Sequence, residues 1–425
     1  MIINKVNKLE GTITVPADKS ITHRAIMFAS LADGISYINN YLPSEDCLTT
    51  LNIFRQMGVD IEQTETQLKI KGSGLFGLKK FNKPFNANNS GTTTRLISGI
   101  LAGQNFSSEI TGDESLSLRP MKRIITPLRQ MGAEISAKDD NYLPIKINGS
   151  KILKAINYKS SIASAQVKSC VLFAGLYADG QTFYTEPEKS RNHTETMLKA
   201  FGADISVDKL TVAVKKCEKL YAREVIVPAD ISSAAFFIVA GLIIKNSHII
   251  IKQVNINKTR SGILTVLKNM GADLTVSNIN EVSGEAVADI EIKSSNLHST
   301  NIDGSLIPSL VDEIPIIALC ATQAEGVTTI SGAGELRLKE SDRLKLIATQ
   351  LNKMGANITE TKDGLIINGK TELKGCSVST AKDHRMAMML SIAALCADGQ
   401  TTVEDSDCVN ISFSNFYDVL KQICK

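Results

Sequence analysis

One nine-residue phrase recurs along the chain, and it constrains the fold more than any other feature. FRQMGVDIE ends at Glu62, LRQMGAEIS at Ser136, LKAFGADIS at Ser206, LKNMGADLT at Thr275 and LNKMGANIT at Thr359. The shared glycines are Gly58, Gly132, Gly202, Gly271 and Gly355, spaced by 74, 70, 69 and 84 residues. Each phrase closes an amphipathic segment and opens a β-prone one. Each glycine is therefore expected at a helix C-terminus in the left-handed conformation. A second phrase recurs as SLADGIS, GLYADGQT and ALCADGQT, with ATQAEGVT a near relative. These read as apolar helices turning into strands. A period near 70 residues marks internal duplication of βαβ-containing units. A sixth unit fits the C-terminal stretch, where SFSNFYDVLKQI reads as a final helix.

The period divides in two. ITVPADKSITHRAIMFASLADG begins at Ile13 and VIVPADISSAAFFIVAGLIIKN at Val225. Both run Val-Pro-Ala-Asp, then Ser, then an apolar helix, so they mark equivalent points in two halves of three units each. The expected class is α/β. Residues 16–227 are expected as one domain inserted between two chain crossings, and residues 1–15 plus 228–425 as the other. The strand before Val15 is expected to pair with the second half, with hinges near Pro16 and Pro228 and a cleft between the domains. A length of 425 residues calls for more than one core in any case. Only the first VPAD is followed by Lys19, His23 and Arg24. That asymmetry argues against a purely structural solenoid.

Bulk properties exclude several classes. With 43% hydrophobic and 21% charged residues and a mean hydropathy of +0.02, the chain reads as soluble and globular. A net charge of +3 argues against a general nucleic-acid binder. MIINKVNKLEG has no apolar signal core, and the longest apolar run, 234–244, is too short to span a bilayer. A cytoplasmic protein without membrane contact is expected. The eight cysteines are scattered with no CxxC, which reads as free thiols in a reducing compartment. Five histidines without paired spacing suggest no structural metal.

The informative charges stand among small residues. GAGELRLKESDR, 332–343, gathers Arg337, Lys339, Glu340, Asp342 and Arg343 at a loop entering the helix LKLIATQLNKMG. A helix start favours anions, and Lys339 and Arg343 reinforce it. Taken alone, the stretch reads better as a solvated helix start capped by Ser341 or Asp342. Lys19, Ser20 and Arg24 open the first helix. NANNSGTTTR brings Asn89, Gly91 and Arg95 to a Gly/Thr-rich loop entering LISGILAG, either an anion cradle or a capped helix start. GDESLSLRPMKR sets Arg119 before Pro120, where an extended backbone is expected. ASAQVKS offers Ser164, Gln166 and Lys168 on an apolar helix, as satisfied core groups or ligand contacts. EPEKSRNHTE offers Ser190 and Arg191, and AKDHRMAMML offers His384 and Arg385. Asp312, in IPSLVDEIPIIALC, and Glu340 are the candidate carboxylates for acid–base chemistry. Asp312 also reads as a plain helix-start residue before Pro315. Many cations, no phosphate-binding P-loop and no Ser-His-Asp order suit substrates bearing several phosphates or carboxylates, which Arg binds bidentately.

Taken together, PADKSITHRA, NNSGTTTR, GDESLSLRPMKR, ASAQVKS, SRNHTE, VPADISSAAFF, LKESDRL and DHRMAM resemble the 5-enolpyruvylshikimate-3-phosphate synthase family of enolpyruvyl transferases. The motifs cover nearly the whole chain, in order. The resemblance implies an inside-out α/β barrel in two domains, each of three βαβαββ units, and a monomer. It implies transfer of the enolpyruvyl group of phosphoenolpyruvate to the 5-hydroxyl of shikimate 3-phosphate, releasing phosphate through a tetrahedral intermediate, with no metal or organic cofactor. By motif, Lys19, Arg119, Lys339, Arg343 and Arg385 would hold phosphoenolpyruvate, with Asn89, Gly91 and Arg95 beside its phosphate. Lys19, Ser20, Arg24, Ser164, Gln166, Ser190, Arg191, Asp312 and Lys339 would meet shikimate 3-phosphate, and Lys19 and Gln166 would lie near both ligands. Asp312 would be the base, Glu340 would move the methylene proton, and Lys339 would assist the departing phosphate.

Three departures stand out. Many relatives carry a Lys shortly before the final helix, where this chain has VNISFSNF. Glu335 stands where some relatives have Asn. Gly91 occupies the position where an added methyl group crowds glyphosate in some tolerant relatives, so glyphosate is expected to compete with phosphoenolpyruvate. The alternative acceptor is UDP-N-acetylglucosamine. Its enzymes generally use a Cys or Asp on a loop before an Arg-Pro pair, whereas ITGDESLSL, ahead of Arg119-Pro120, contains no Cys.

Overall fold

The computed structural model describes residues 1–150 and 152–425. The chain divides into two compact units. One comprises Met1–Pro16, Pro228–Glu281 and Ala286–Lys425; the other comprises Ala17–Val227 with Val282–Glu285. Both are α/β, and both are built from one βαβαββ pattern used three times.

The stretch from Phe85 to Asn148 shows the pattern. Strand Phe85–Asn86 leads to helix Gly91–Ala102, strand Ser107–Thr111, helix Lys122–Gln130, and strands Glu134–Lys138 and Tyr142–Asn148. Phe85–Asn86 runs parallel to Ser107–Thr111, which is antiparallel to Tyr142–Asn148, itself antiparallel to Glu134–Lys138. In Tyr142–Asn148 the residues Leu143, Ile145 and Ile147 are buried and their neighbours are not, the period-two signature of a one-faced sheet. Helix Gly91–Ala102 is buried almost all round and lies inside. Helix Lys122–Gln130 buries only a stripe of Ile124, Ile125, Pro127 and Leu128.

Three of the six copies borrow a strand. Ala32–Asn39 takes its parallel neighbour Glu224–Ile226 from the far end of the same unit. His248–Asn255 takes Glu10–Ile13. The last copy ends at helix Phe416–Ile423, and Ile2–Asn4 pairs antiparallel with its strand Gln400–Glu404. The interior of one unit is lined by helices Lys19–Leu31, Gly91–Ala102 and Ala165–Gly175; that of the other holds Ile231–Ile243, Ile314–Thr322 and His384–Cys396. Sheets cover both sets, so each unit carries helices inside and strands outside.

The recurrent phrase has one geometry. Gly58, Gly132, Gly202, Gly271 and Gly355 have φ of +84°, +91°, +90°, +82° and +100°. In each copy the residue after the glycine donates to the carbonyl five residues back, as Val59 does to Phe54 at 3.1 Å and Ala356 to Leu351 at 3.0 Å. This double-bonded helix stop needs a left-handed residue, which explains the glycine. No helix among the described residues is long and apolar enough to cross a membrane.

Candidate active site

The N-terminal ends of the buried helices carry most of the predicted residues. Asp18, Ser90, Ser164, Asp230 and Asp383 each accept a helix N–H through the side chain, which orients the first turn that follows. Lys19, Arg95, Gln166 and Arg385 are all displayed within the first five residues of such helices.

In the unit containing Ala17–Val227, several of the predicted residues are held by partners within the unit. Lys19 Nζ lies 3.0 Å from Asp46 Oδ2. Arg24 donates to Thr194 Oγ1 at 2.7 Å, Ser169 Oγ at 2.8 Å and the Ser20 carbonyl at 2.9 Å. Burial lowers its pKa to about 10, so the guanidinium stays charged at neutral pH. Arg95 donates to Gln166 Oε1 at 2.8 Å, and the Gln166 amide donates to Thr92 Oγ1 at 2.9 Å. Arg119 donates to Asn89 Oδ1 at 2.6 Å and Ser115 Oγ at 3.1 Å. Ser190 Oγ donates to Glu186. Gly91 sits against this set: a Cβ there would lie 2.9 Å from Arg95 Nη1 and 3.6 Å from Arg119 Nη1. His23, by contrast, is fully buried with Nδ1 2.7 Å from Thr50 Oγ1, and burial pushes its pKa down to about 3. It is a neutral core group.

In the other unit, a second set surrounds Asp312. Its carboxylate lies 3.4 Å from Arg343 Nη1, 3.6 Å from Lys339 Nζ and 3.8 Å from Arg385 Nη2. Arg343 Nη2 also holds Glu340 Oε2 at 2.6 Å. Arg343 is buried and spans three carboxylates. Burial opposes its charge, but Asp383 and Glu340 outweigh burial and raise its pKa above the ordinary value. Two carboxylates of opposite prospective roles, Asp312 and Glu340, thus share one fixed guanidinium.

Several local readings change. Arg95 lies one turn inside helix Gly91–Ala102 rather than on the loop, because Ser90 caps the helix early. Ahead of Arg119 the chain first turns: Asp113 caps the short helix Glu114–Ser117, which stops before Arg119, and the Arg119 N–H closes onto the Leu116 carbonyl at 3.0 Å. Lys168 resolves as a buried core group paired with Glu186 and Glu195. In the VNISFSNF stretch before the last helix, Phe413 packs on Phe237 and Phe416 with ring centroids 5.8 and 5.5 Å away. Asp46 and Asp383 escaped the sequence reading. Asp383 carried one usable signal, an Asp directly before an apolar helix; Asp46 carried none. The 1040 Å³ cavity lined by Lys5, Lys245, Gln323, Lys370 and Cys396 contains none of the predicted residues.

The sequence model of the family described as EPSP synthase (3-phosphoshikimate 1-carboxyvinyltransferase) matches residues 3–420. The chain belongs to the EPSP synthase family. A 3-phosphoshikimate 1-carboxyvinyltransferase of Endomicrobium trichonymphae is 54% identical over 427 residues, covering 100% of this chain and 99% of that one. Its namesake in Thermoanaerobacter sp. (strain X514) is 50% identical, covering 98% of both chains. The solved EPSP synthase of Acinetobacter baumannii superposes with a TM-score of 0.89 at 42% identity, covering 100% of this chain and 97% of that one. The enolpyruvyl transferase NikO of Streptomyces tendae, at 17% identity, has a TM-score of 0.81 and covers 99% and 96%. That likeness concerns the fold alone.

Proposed function

We propose that this chain is a 3-phosphoshikimate 1-carboxyvinyltransferase, moving the enolpyruvyl group of phosphoenolpyruvate to the 5-hydroxyl of shikimate 3-phosphate and releasing phosphate. Within the site, the observation that carries the reading is Asp312 beside Lys339, Arg343 and Arg385, with Glu340 on the same Arg343. Two substrates bring two carboxylates and two phosphates, whose mutual repulsion a fixed set of cations offsets.

The roles follow from the chemistry of each group. Asp312 takes the proton of the attacking hydroxyl. Glu340 gives a proton to the methylene carbon and retakes it on elimination. Lys339 stabilises the departing phosphate. Lys19, Arg119, Arg343 and Arg385 bind phosphoenolpyruvate, with Asn89, Gly91 and Arg95 near its phosphate. Lys19, Ser20, Arg24, Ser164, Gln166, Ser190, Arg191, Asp312 and Lys339 bind shikimate 3-phosphate, with Lys19 and Gln166 near both ligands. Residues 16–227 and residues 1–15 with 228–425 act as domains hinged at Pro16 and Pro228, in a cytoplasmic monomer.

The test is phosphate release from phosphoenolpyruvate with shikimate 3-phosphate and, separately, UDP-N-acetylglucosamine as acceptor. Release with shikimate 3-phosphate alone is expected. Release with the sugar nucleotide would overturn the acceptor assignments, and silence with both from folded protein would overturn the activity.

A further inference from the structure

Lys168 is a charged residue of the sequence motifs that the proposed chemistry leaves unused. It lies on helix Ala165–Gly175, and its side chain is only 1% exposed. Its ammonium lies 2.9 Å from Glu186 Oε1 and 2.7 Å from Glu195 Oε1, and donates to the Ser190 carbonyl at 3.4 Å. These partners are not scattered. Glu186 follows strand Gln181–Thr185, Glu195 lies in the first turn of helix His193–Ala200, and Ser190 stands between them. One buried cation therefore holds the start, the middle and the end of the connection 186–195. Glu186 adds a fourth tie by accepting from Ser190 Oγ.

We infer that Lys168 is a positioning residue: it clamps the 186–195 connection so that Ser190 and Arg191 stand ready for the phosphate of shikimate 3-phosphate. The inference rests on the acceptor proposed above. A buried ammonium with two carboxylates is costly to desolvate, and a methionine of similar length would fill the same space. The geometry supplies what an apolar side chain cannot, three directed bonds to one loop. Lys168 reaches no ligand itself. Its effect passes through the loop, so it should fall on one substrate only. Phosphoenolpyruvate is assigned to other residues.

The variants are Lys168→Met, which strands two buried glutamates, and Lys168→Met/Glu186→Gln, which removes one charge of each sign and keeps an acceptor for Ser190 Oγ. In the folded double variant, amide hydrogen exchange at 189–192 should rise about tenfold, because the clamp is gone. KM for shikimate 3-phosphate should rise about tenfold while KM for phosphoenolpyruvate stays within about twofold. Lys168→Arg, which keeps the charge, should recover part of both effects. Unchanged exchange in the double variant would overturn the clamp. Faster exchange with both KM values rising together, or neither, would overturn its link to the acceptor. If the unmodified protein did not use shikimate 3-phosphate at all, the acceptor reading would fail, and the exchange measurement would still decide whether the clamp exists.

Discussion

Arg343 and Asp383 form a two-point ion pair inside the protein: Nε donates to Oδ2 at 2.8 Å and Nη2 to Oδ1 at 3.2 Å, with both side chains at most 1% exposed. The same Asp383 caps helix His384–Cys396 through the Arg385 N–H. One carboxylate thus fixes two of the cations proposed to hold phosphoenolpyruvate. Burial alone would raise the pKa of Asp383, yet the Arg343 guanidinium prevails and holds it below the ordinary carboxylate value. Asp383→Ala should therefore destabilise the protein by about 3 kcal/mol, since it leaves the buried Arg343 with only the two less buried carboxylates Asp312 and Glu340. A depressed carboxylate contributes stability above its unfolded pKa of about 3.9 and loses it as pH falls through the lower folded value. Denaturant unfolding at pH 7 and pH 3 checks this: the variant's deficit should be large at pH 7 and shrink in acid. An equal deficit at both would rule out the charge as its source.

Glu340→Gln keeps the shape of the side chain but cannot accept and return a proton. Turnover should fall by roughly 10²–10⁴-fold, the usual worth of a general acid–base group. The melting temperature should hardly move, because Glu340 is partly exposed and Arg343 keeps Asp383. Steady-state kinetics with thermal melting separates the two, and near-normal kcat would remove Glu340 from the mechanism.

Asp312→Asn tests the other half of the proton inventory. Its carboxylate faces three cations at 3.4–3.8 Å, so neutralising it also relieves local attraction without opening a void. We expect kcat to fall by roughly 10²-fold or more with the protein folded. A kcat within about twofold of normal would remove Asp312 as the base.

Gly91→Ala should press on Arg95, whose Nη1 would lie 2.9 Å from the new methyl group. A guanidinium at the end of a flexible side chain can yield, so folding should survive. KM for phosphoenolpyruvate should rise by about tenfold or less, ~1.4 kcal/mol, and inhibition by glyphosate should weaken by more. Competition kinetics with both ligands measures the two shifts. A glyphosate constant that does not move would separate Gly91 from the inhibitor.

His23 makes a pH prediction independent of catalysis. Burial pushes its pKa down to about 3, against about 6.5 in an unfolded chain. The unfolded state therefore binds the proton first. Stability is full above about pH 6.5 and falls as pH drops, by up to about 1.4 kcal/mol per pH unit. His23→Gln should flatten the stability curve between pH 6.5 and 5, where few carboxylates yet titrate. An unchanged slope in that window would mean that His23 is not the group responsible.

Much of this architecture is written in local sequence because its causes are local. A left-handed helix stop needs glycine, so Gly58, Gly132, Gly202, Gly271 and Gly355 announce five of the six units without reference to anything distant. The apolar helices are equally legible, because a helix buried on all sides is apolar over most of its surface. The motifs around Lys19, Gly91, Ser164, Asp312 and Glu340 likewise lie within short stretches, so the sequence marks them as candidates.

Tertiary structure decided whatever depends on partners far away in the chain. Nothing near Ile2 says that it completes the last sheet 400 residues later, because an edge strand is specified by the neighbour that lacks one. Asp383 meets Arg343 from 40 residues away, Arg24 meets Thr194 from 170, and Lys19 meets Asp46 from 27. Whether Lys168 was a ligand contact or a clamp turned on the same kind of fact. A charge in an apolar helix is ambiguous until the carboxylates facing it are known, and those are supplied by the fold.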